Sequence, residues 1–348
     1  MTTTKTQKKL NIATVGYGGM GTYHVHGLIP AESDYLQVVG TYDVDPDRKA
    51  IAEETGTYVY PAFEAILDDQ EVDAVLIATP NDSHKDLAIQ AMRAGKHVIC
   101  EKPVAMNTQE FDEMLAVAAE TDRVLMIHQN RRWDPDFLQV KEMFTQRQAI
   151  GDVFQIESRV HGANGIPGDW RHLKAHGGGM VLDWGIHLLD QILWLVDSPI
   201  QSVHSDLSYI LADEVDDGFM AYITFENGIR AHVEVGTSNF VSLPRWYIKG
   251  NQGTAIIEDW EMNGRIVKAT GNAVENKPSP ITAGVGLTKT MAPPVDGVTE
   301  TVALPKAKPA EVSFYRNFYD VVTAGAEPIV KNAEVREVMQ LIDRILSQ

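Results

Sequence analysis

Short apolar runs alternate with helical stretches over the first 130 residues of the chain. The runs span residues 10–15, 38–42, 74–79, 97–100 and 124–128. Each run is apolar nearly throughout, which is typical of parallel strands covered by helices on both faces. Between the runs, residues 82–94 and 108–120 have helical spacing, and Asn107 or Thr108 supplies the N-cap of the second helix. The alternation predicts an α/β domain built on a parallel sheet.

The pattern changes after Arg132. Residues 180–196 are apolar almost all round and predict a helix that is buried on most sides. Alternating runs at residues 218–226, 229–235, 246–249 and 254–258, with turn signals between them, predict an antiparallel sheet. Residues 269–310 contain six prolines and predict a long excursion without regular structure, over the surface or across a subunit contact. Residues 312–324 and 333–347 predict two closing helices.

The 348 residues are best divided into two domains, residues 1–130 and residues 131–348. The closing helices can also pack back on the first domain. The net charge of −18 argues against nucleic acid and anionic membrane as partners, because affinity for phosphates comes from Lys and Arg. No apolar run approaches the roughly 20 residues that cross a bilayer, and no export signal is predicted. The single cysteine, Cys100, agrees with a reducing cytoplasm, where we expect the protein to reside.

A glycine-rich turn follows the first predicted strand. Gly16, Gly18 and Gly21 fit the pattern G-x-G-x-x-G, with Gly19 and Met20 inside it. In that pattern the first glycine permits a tight turn, the second lets the backbone approach a pyrophosphate, and the third allows close packing. The motif opens a helix, whose N-terminal amides can hold an anion. It predicts a Rossmann dinucleotide-binding domain.

Asp43 ends the second predicted strand, about 20 residues beyond the last glycine, where an acidic residue binds the ribose hydroxyls of NAD. The alternative is that Asp43 only starts a turn. Further candidates for the cofactor site follow the third strand, where the nicotinamide ribose would pass, and Ser83 could cap the next helix. These are Thr79, Pro80, Asn81 and His84. For Asn81 and His84, an ordinary role in the turn is the competing interpretation.

Lys102 stands in the sequence Glu101-Lys102-Pro103, directly after the fourth run of the parallel sheet. Open α/β sheets bind ligands at the carboxyl ends of their strands, so Lys102 is predicted to lie near the nicotinamide. The alternative is a surface Glu–Lys pair.

Four polar residues interrupt the apolar helix predicted over residues 180–196. Asp183, His187, Asp190 and Gln191 have the spacing i, i+4, i+7 and i+8, so they form one polar stripe. Asp183 and His187 lie one turn apart, and we expect the carboxylate to raise the pKa of the imidazole. The alternative is a satisfied pair in the core. Because no third His or Cys has a recognisable spacing, no metal site is predicted.

Three motifs together resemble the Gfo/Idh/MocA family of oxidoreductases. They are the glycine pattern, Glu101-Lys102-Pro103, and Gly-Gly-x-x-x-Asp-x-Gly-x-His ending at His187, and they occur in the order and spacing of that family. The resemblance implies a Rossmann domain followed by an α/β domain with a large, mainly antiparallel open sheet. It also implies dimers or tetramers formed partly by that sheet. The implied activity is hydride transfer between NAD and a sugar or cyclitol, with Lys102 and His187 as the catalytic pair and Asp183 beside them.

Residues 128–136 also resemble a subset of bacterial members that act on polyols, sugars or glycosides. Asn130 or Arg132 is expected to face the cleft, although Arg131, Arg132 and Asp136 are equally interpreted as a surface ion-pair cluster. Trp170 and Arg171 precede the glycines of the third motif and could stack on and hydrogen-bond a pyranose ring.

The predicted mechanism has His187 as base and Lys102 as the cation that stabilises the alkoxide, although the two roles can be exchanged. Three other functions remain open. A non-catalytic regulator would bind the dinucleotide without turnover, and intact Lys102, Asp183 and His187 argue against it. An NAD-dependent glycosidase would oxidise its substrate only transiently. An enzyme acting on a non-carbohydrate is disfavoured by the polar stripe.

Overall fold

The computed structural model describes residues 8–145, 149–270 and 279–348. In these ranges, five parallel strands form the first sheet, in the order β2-β1-β3-β4-β5. The strands are β1 (Leu10–Val15), β2 (Leu36–Tyr42), β3 (Ala74–Ile77), β4 (His97–Cys100) and β5 (Leu125–Ile127). Their helices are α1 (Gly19–Tyr23), α2 (Pro46–Glu54), α3 (Phe63–Asp68), α4 (His84–Arg93) and α5 (Thr108–Thr121). The predicted Rossmann-type sheet is confirmed.

Local sequence accounts for these elements. The strand β3 is buried at every position, as its apolar run predicts for a strand with both faces covered. The side chain of Asn107 accepts a hydrogen bond from the amide of Glu110, so Asn107 is the N-cap of α5. Ser83 does not cap α4, because its hydroxyl bonds the Pro80 carbonyl instead.

Eight strands form the second sheet in the described part of the chain, in the order β15-β12-β11-β10-β6-β9-β8-β7. The central strands β6 and β9 pair in parallel, and the other pairs described for this sheet are antiparallel. The strands are β6 (Val153–His161), β7 (Ile200–Ser208), β8 (Gly218–Phe225), β9 (Arg230–Gly236), β10 (Trp246–Gly250), β11 (Gly253–Ile257), β12 (Gly264–Ala269) and β15 (Thr299–Val302). The mainly antiparallel sheet is confirmed.

The segment 269–310 is more regular than predicted. Residues Ile281–Ala283 (β13) and Gly286–Thr288 (β14) form a two-stranded hairpin, and β15 extends the large sheet by pairing with β12. The prolines flank these strands and leave their amides free to pair, which corrects the expectation of an irregular excursion. Residues 271–278 of this segment lie outside the described ranges.

The apolar helix predicted over residues 180–196, with its polar stripe, has two parts. Val181–Gly185 is a π-helical turn that carries Asp183, and α7 (Ile186–Leu195) continues from it. Such wide turns are frequent at functional sites. The helix α6 (Pro135–Thr145) precedes the second sheet, and α8 (Phe314–Ala324) and α9 (Asn332–Leu346) close the chain.

The closing helix α9 packs on α7 and also contacts α5 and β5. Its Arg336 forms an ion pair with Asp112, and its Asp343 accepts a hydrogen bond from the amide of Thr108. Because α9 also contacts β7, this helix contacts strands of both sheets, and the boundary between residues 130 and 131 stays a prediction. Within the described residues, no helix is both long and apolar enough to cross a membrane.

Candidate active site at the edge of the first sheet

The glycine turn after β1 is shaped by close backbone contacts. Gly16 has a φ of 96°, and a Cβ at this position would lie 2.5 Å from the carbonyl oxygen of Ala78. A Cβ on Gly21 would lie 2.0 Å from the Gly16 carbonyl oxygen. Any side chain at these two positions would clash with backbone. The space beside Gly18 and Gly19 is open, so their backbone can be approached from the start of α1, which also contains Met20.

Asp43 follows β2 and contacts the backbone of the glycine turn. Its carboxylate accepts hydrogen bonds from the amide of Tyr17 at 2.6 Å and from that of Asp45 at 2.9 Å. The residue therefore does initiate a turn, as the alternative interpretation held, but it also lies directly against the glycine motif. This position, at the carboxyl end of β2, is the one that the ribose-binding role requires.

The residues after β3 are held by protein partners. The Thr79 hydroxyl lies 2.6 Å from the Ser83 hydroxyl, while the two ring nitrogens of buried His84 lie 2.9 Å from the carbonyl oxygens of Pro103 and Thr79. Asn81 is also buried, and its amide donates to the Gly177 carbonyl at 2.8 Å. His84 thus joins the β3 and β4 loops, and Asn81 joins the first sheet to the segment before the π-helical turn. The cofactor-binding roles of Thr79, Pro80, Asn81 and His84 stay predictions.

Lys102 and Asp183 meet across the two halves of the structure. The Lys102 Nζ lies 2.9 Å from the Asp183 carbonyl oxygen and 3.2 Å from its Oδ1, and the Lys102–Pro103 peptide bond is cis. The Arg171 Nε lies 3.4 Å from the same Oδ1. Burial alone would raise the pKa of Asp183, but Lys102 and Arg171 outweigh it and hold that pKa below its usual value. Asp183 is therefore a carboxylate that positions two cations.

His187 lies one turn further along the helix and is 5% exposed. Its Nδ1 has no hydrogen-bond partner among the described residues. Burial, followed by the charges of Lys102 and Arg131, holds the pKa of His187 well below its usual value. The expectation that Asp183 raises this pKa is wrong, because the carboxylate bonds Lys102 and Arg171 instead of the imidazole. His187 is neutral at neutral pH.

Glu101 connects Lys102 to a buried network that the sequence did not reveal. Its Oε1 lies 2.7 Å from the Nε2 of His24 and 2.7 Å from the Nδ1 of His128, and its Oε2 accepts a hydrogen bond from the Lys102 amide at 3.1 Å. The Tyr315 hydroxyl bonds the other nitrogen of His24. Burial would raise the pKa of Glu101, but His128 and His24 outweigh it and hold that pKa well below its usual value. The network fixes the backbone of the lysine-bearing turn.

His24, Glu101 and His128 are also the residue types that bind metals, and one ligand atom from each lies within 4.8 Å of the others. The Nε2 of His24 and the Nδ1 of His128 both lie at hydrogen-bond distance from the Oε1 of Glu101. The arrangement is accounted for by hydrogen bonds, and the predicted absence of a metal stays a prediction.

Arg132 does not face the cleft. Its guanidinium is 1% exposed and forms two hydrogen bonds with Asp190, at 2.6 and 2.8 Å, and one with Glu334 at 2.6 Å. Gln191 donates to the Arg131 carbonyl at 2.7 Å. The four residues of the predicted polar stripe therefore have two different roles. Asp190 and Gln191 bond the turn Asn130–Trp133, whereas Asp183 and His187 lie near Lys102. Both interpretations of Arg132, as a cleft residue and as a surface ion pair, are corrected to a buried ion pair.

The remaining substrate candidates are partly buried. Asn130 begins the turn Asn130–Trp133, and Trp170 begins the turn Trp170–His172. The guanidinium of Arg171 lies 4.6 Å from the centre of the Trp170 indole while its Nε approaches Asp183. Arg171 is thus brought to the site, and the contacts of Asn130 and Trp170 with substrate stay predictions.

Two sequence-family descriptions match the chain in succession. Residues 10–129 match the oxidoreductase family with an NAD-binding Rossmann fold, and residues 137–256 match the GFO/IDH/MocA C-terminal domain. The chain belongs to this family. A solved structure of an NAD-binding protein from Listeria innocua is 58% identical, with a TM-score of 0.95 over 98% of this chain and 97% of that one.

Curated relatives are more distant and match over a shorter length. An uncharacterized oxidoreductase from Schizosaccharomyces pombe is 30% identical over 70% of this chain and 69% of its own length. A myo-inositol 2-dehydrogenase from Thermotoga maritima is 30% identical over 59% of this chain and 60% of its own length.

This member of the Gfo/Idh/MocA family has a cavity of about 450 Å³ beside Asp183. Its lining includes Arg131, Trp184 and Trp260, none of which sequence reasoning named as a site residue. Trp184 was counted among the apolar positions of the helix, and Trp260 lies in the turn between β11 and β12, far from every motif. Only the long-range pairing of the second sheet brings it to Asp183.

Proposed function

We propose that the chain is an NAD-dependent dehydrogenase that transfers hydride between nicotinamide and a secondary hydroxyl of a sugar, cyclitol or glycoside. The observation that carries the proposal is the pairing of Lys102 with Asp183 next to a neutral His187, at the sheet edge that also bears the glycine turn. The myo-inositol dehydrogenase from Thermotoga maritima and the NAD-binding protein from Listeria innocua support it by similarity.

The residues around the glycine turn fit a dinucleotide. The open space beside Gly18 and Gly19 admits a pyrophosphate to the backbone amides, and Asp43 lies where a ribose would present its hydroxyls. NAD bound there supplies the hydride acceptor for oxidation of the substrate carbon.

In the oxidation direction, the residues of the chain remove a proton and stabilise the negative charge that follows. His187 is neutral, so its imidazole accepts the hydroxyl proton. The Lys102 side chain is held by Asp183, and from there it would donate to the substrate oxygen and stabilise the developing alkoxide. Between the two assignments that the sequence left open, the neutral state of His187 and the ion pair of Lys102 with Asp183 favour His187 as base.

We further propose that NAD is preferred over NADP. A carboxylate at Asp43 accepts the ribose hydroxyls but repels a 2′-phosphate, and Val44 next to it is exposed and uncharged. Comparison of kcat/KM for the two cofactors tests this preference. Asp43→Ala should weaken the binding of NAD and reduce the difference in kcat/KM between NAD and NADP. Equal or better use of NADP by the wild type would contradict the role of Asp43.

The reaction is tested by following NADH formation with a panel of cyclitols, aldoses and glycosides. We expect stoichiometric reduction of NAD with at least one of them. Release of an aglycone without net NADH would instead identify a glycosidase. NAD binding without any turnover across the panel would identify a regulator.

A further inference from the structure

The cavity beside Asp183 extends away from the reacting centre. It lies between the π-helical turn and the ends of β6 and β9, and Trp260 forms part of its wall. Its described lining includes Asp183 but neither Lys102 nor His187. A single sugar ring held at Lys102 would therefore leave most of the cavity unfilled. The volume of about 450 Å³ falls in the range of roughly 300–1,000 Å³ that is usual for ligand sites.

Two tryptophans form an apolar wall of this cavity. The indoles of Trp184 and Trp260 have centres 6.0 Å apart and planes inclined at 49°. The Arg131 guanidinium lies 4.2 Å from the centre of Trp184 and 5.3 Å from that of Trp260, and Arg245 lies 3.7 Å from Trp260. These cation–π contacts hold the indoles in place.

Trp260 nevertheless remains 48% exposed. A single exposed aromatic residue is ordinary, but here it shares a cavity with a second indole and with an arginine. Such a wall suits a flat ligand that has an apolar face and a polar edge.

The charges around the cavity are balanced. Arg131 bonds Asp134 at 2.8 Å, and Asp183 bonds Lys102 at 3.2 Å. An anionic ligand such as a phosphate or uronate would compete with these partners, whereas an uncharged sugar would not. The cavity therefore fits a neutral ring with hydroxyl groups.

We infer that this cavity is a second-ring subsite and that the preferred substrates are uncharged glycosides or disaccharides. The inference rests on the proposed function, since the reacting ring would lie at Lys102 and His187. The second ring packs on Trp184 and Trp260, and the guanidinium of Arg131 donates to its hydroxyls. Trp260 is then a specificity-determining residue that acts on the size of the substrate.

The test compares matched substrates in wild type, Trp260→Ala and Trp260→Phe. Glucose is paired with maltose and cellobiose, and galactose with lactose, while NADH formation is followed. At least one disaccharide should have a higher kcat/KM than its monosaccharide. Trp260→Ala should raise the KM of that disaccharide about tenfold, Trp260→Phe should restore most of the loss, and the monosaccharide should change less than about twofold. Equal effects on both members of a pair, or none on either, would overturn the subsite.

A binding readout separates this inference from the proposed function. Binding of the same disaccharides to the NAD-loaded enzyme is measured by isothermal titration calorimetry, and the binding expected in wild type should be lost in Trp260→Ala. Oxidation of monosaccharides without any binding of disaccharides would reject the subsite alone. Binding of disaccharides that depends on Trp260, without oxidation of any sugar, would support the subsite and reject the proposed reaction. Neither binding nor oxidation would reject both.

Discussion

His187 owes its protonation state to its surroundings rather than to its partner on the same helix. Burial and the charges of Lys102 and Arg131 lower the pKa of His187 well below 6.5, so the neutral form that accepts a proton persists as the pH falls. We predict that the acid limb of kcat/KM for oxidation lies well below pH 6.5. A pH–rate profile measured with the best sugar of the panel checks this, and an acid limb at or above pH 6.5 would contradict a neutral His187.

The sequence predicted which side chains of the site lie close together, but not which hydrogen bonds and ion pairs they form. Helical spacing placed Asp183 near His187, and the motif placed Lys102 at the sheet edge. The sequence predicted that the Asp183 carboxylate pairs with His187. In the structure the carboxylate bonds Lys102 instead, which lies 81 residues away in the chain. Arg132 was misassigned for the same reason, since its partner Glu334 lies 202 residues away.

The helix that carries Asp183 and His187 begins on a buried carboxylate. Asp216 accepts a hydrogen bond from the Val181 amide at 2.9 Å, and its own carbonyl accepts one from Met180 at 3.1 Å. Burial raises the pKa of Asp216 to about 6. Because this exceeds the unfolded value of about 3.9, the folded state binds more protons, and the stability from Asp216 is fully present below about pH 4 and is lost as the pH rises through about 6.

Asp216→Asn keeps an acceptor for the Val181 amide and removes the titration. We predict that the free energy of unfolding of the wild type, relative to this variant, falls by about 2–3 kcal/mol between roughly pH 4 and pH 7. Chemical unfolding of both proteins across that range measures the difference and cancels the titration of other groups. Parallel pH dependences would mean that Asp216 does not titrate in this range.

Where apolar residues follow a clear periodicity, the sequence predicted the strands and helices with nearly the right bounds. A strand that carries charged residues on one face was missed. The run at residues 10–15 matches β1, while β6 was not recognised. Glu157 and Arg159 of β6 interrupt its apolar pattern, and they bond each other across one strand face. Arg159 also bonds Glu234 of β9, so charges that are satisfied in the folded sheet conceal a strand when polarity along the sequence is the only signal.

At the scale of the whole molecule, the hairpin β13–β14 presents apolar side chains to solvent. Val285 and Leu287 of the hairpin are highly exposed, and so is Met291, which follows it in the chain. We predict that the hairpin packs against another copy of the chain in a homodimer or homotetramer, since large apolar patches on monomers are rare. Light scattering should give two or four times the chain mass of 38.5 kDa. Leu287→Asp should increase the monomer fraction, whereas a monomeric wild type would contradict the prediction.

The contacts between distant parts of the chain were the feature of the architecture that the sequence predicted least well. Motifs predicted that Lys102 and Asp183 belong to one site, but the buried network of Tyr315, His24, Glu101 and His128 assembles from positions up to 291 residues apart. No local pattern encodes the contact between Tyr315 and His24, because it forms only when α8 reaches the turn that carries His24.

We propose that Lys102 and His187 act on the chemical step. The most direct test is the rate of NADH formation in a single turnover, with NAD affinity measured on the same proteins. His187→Ala and Lys102→Met should each lose about 10²- to 10⁴-fold in rate while they still bind NAD as the wild type does. A His187→Ala protein that forms NADH at nearly the wild-type rate would contradict the role of His187 as the base.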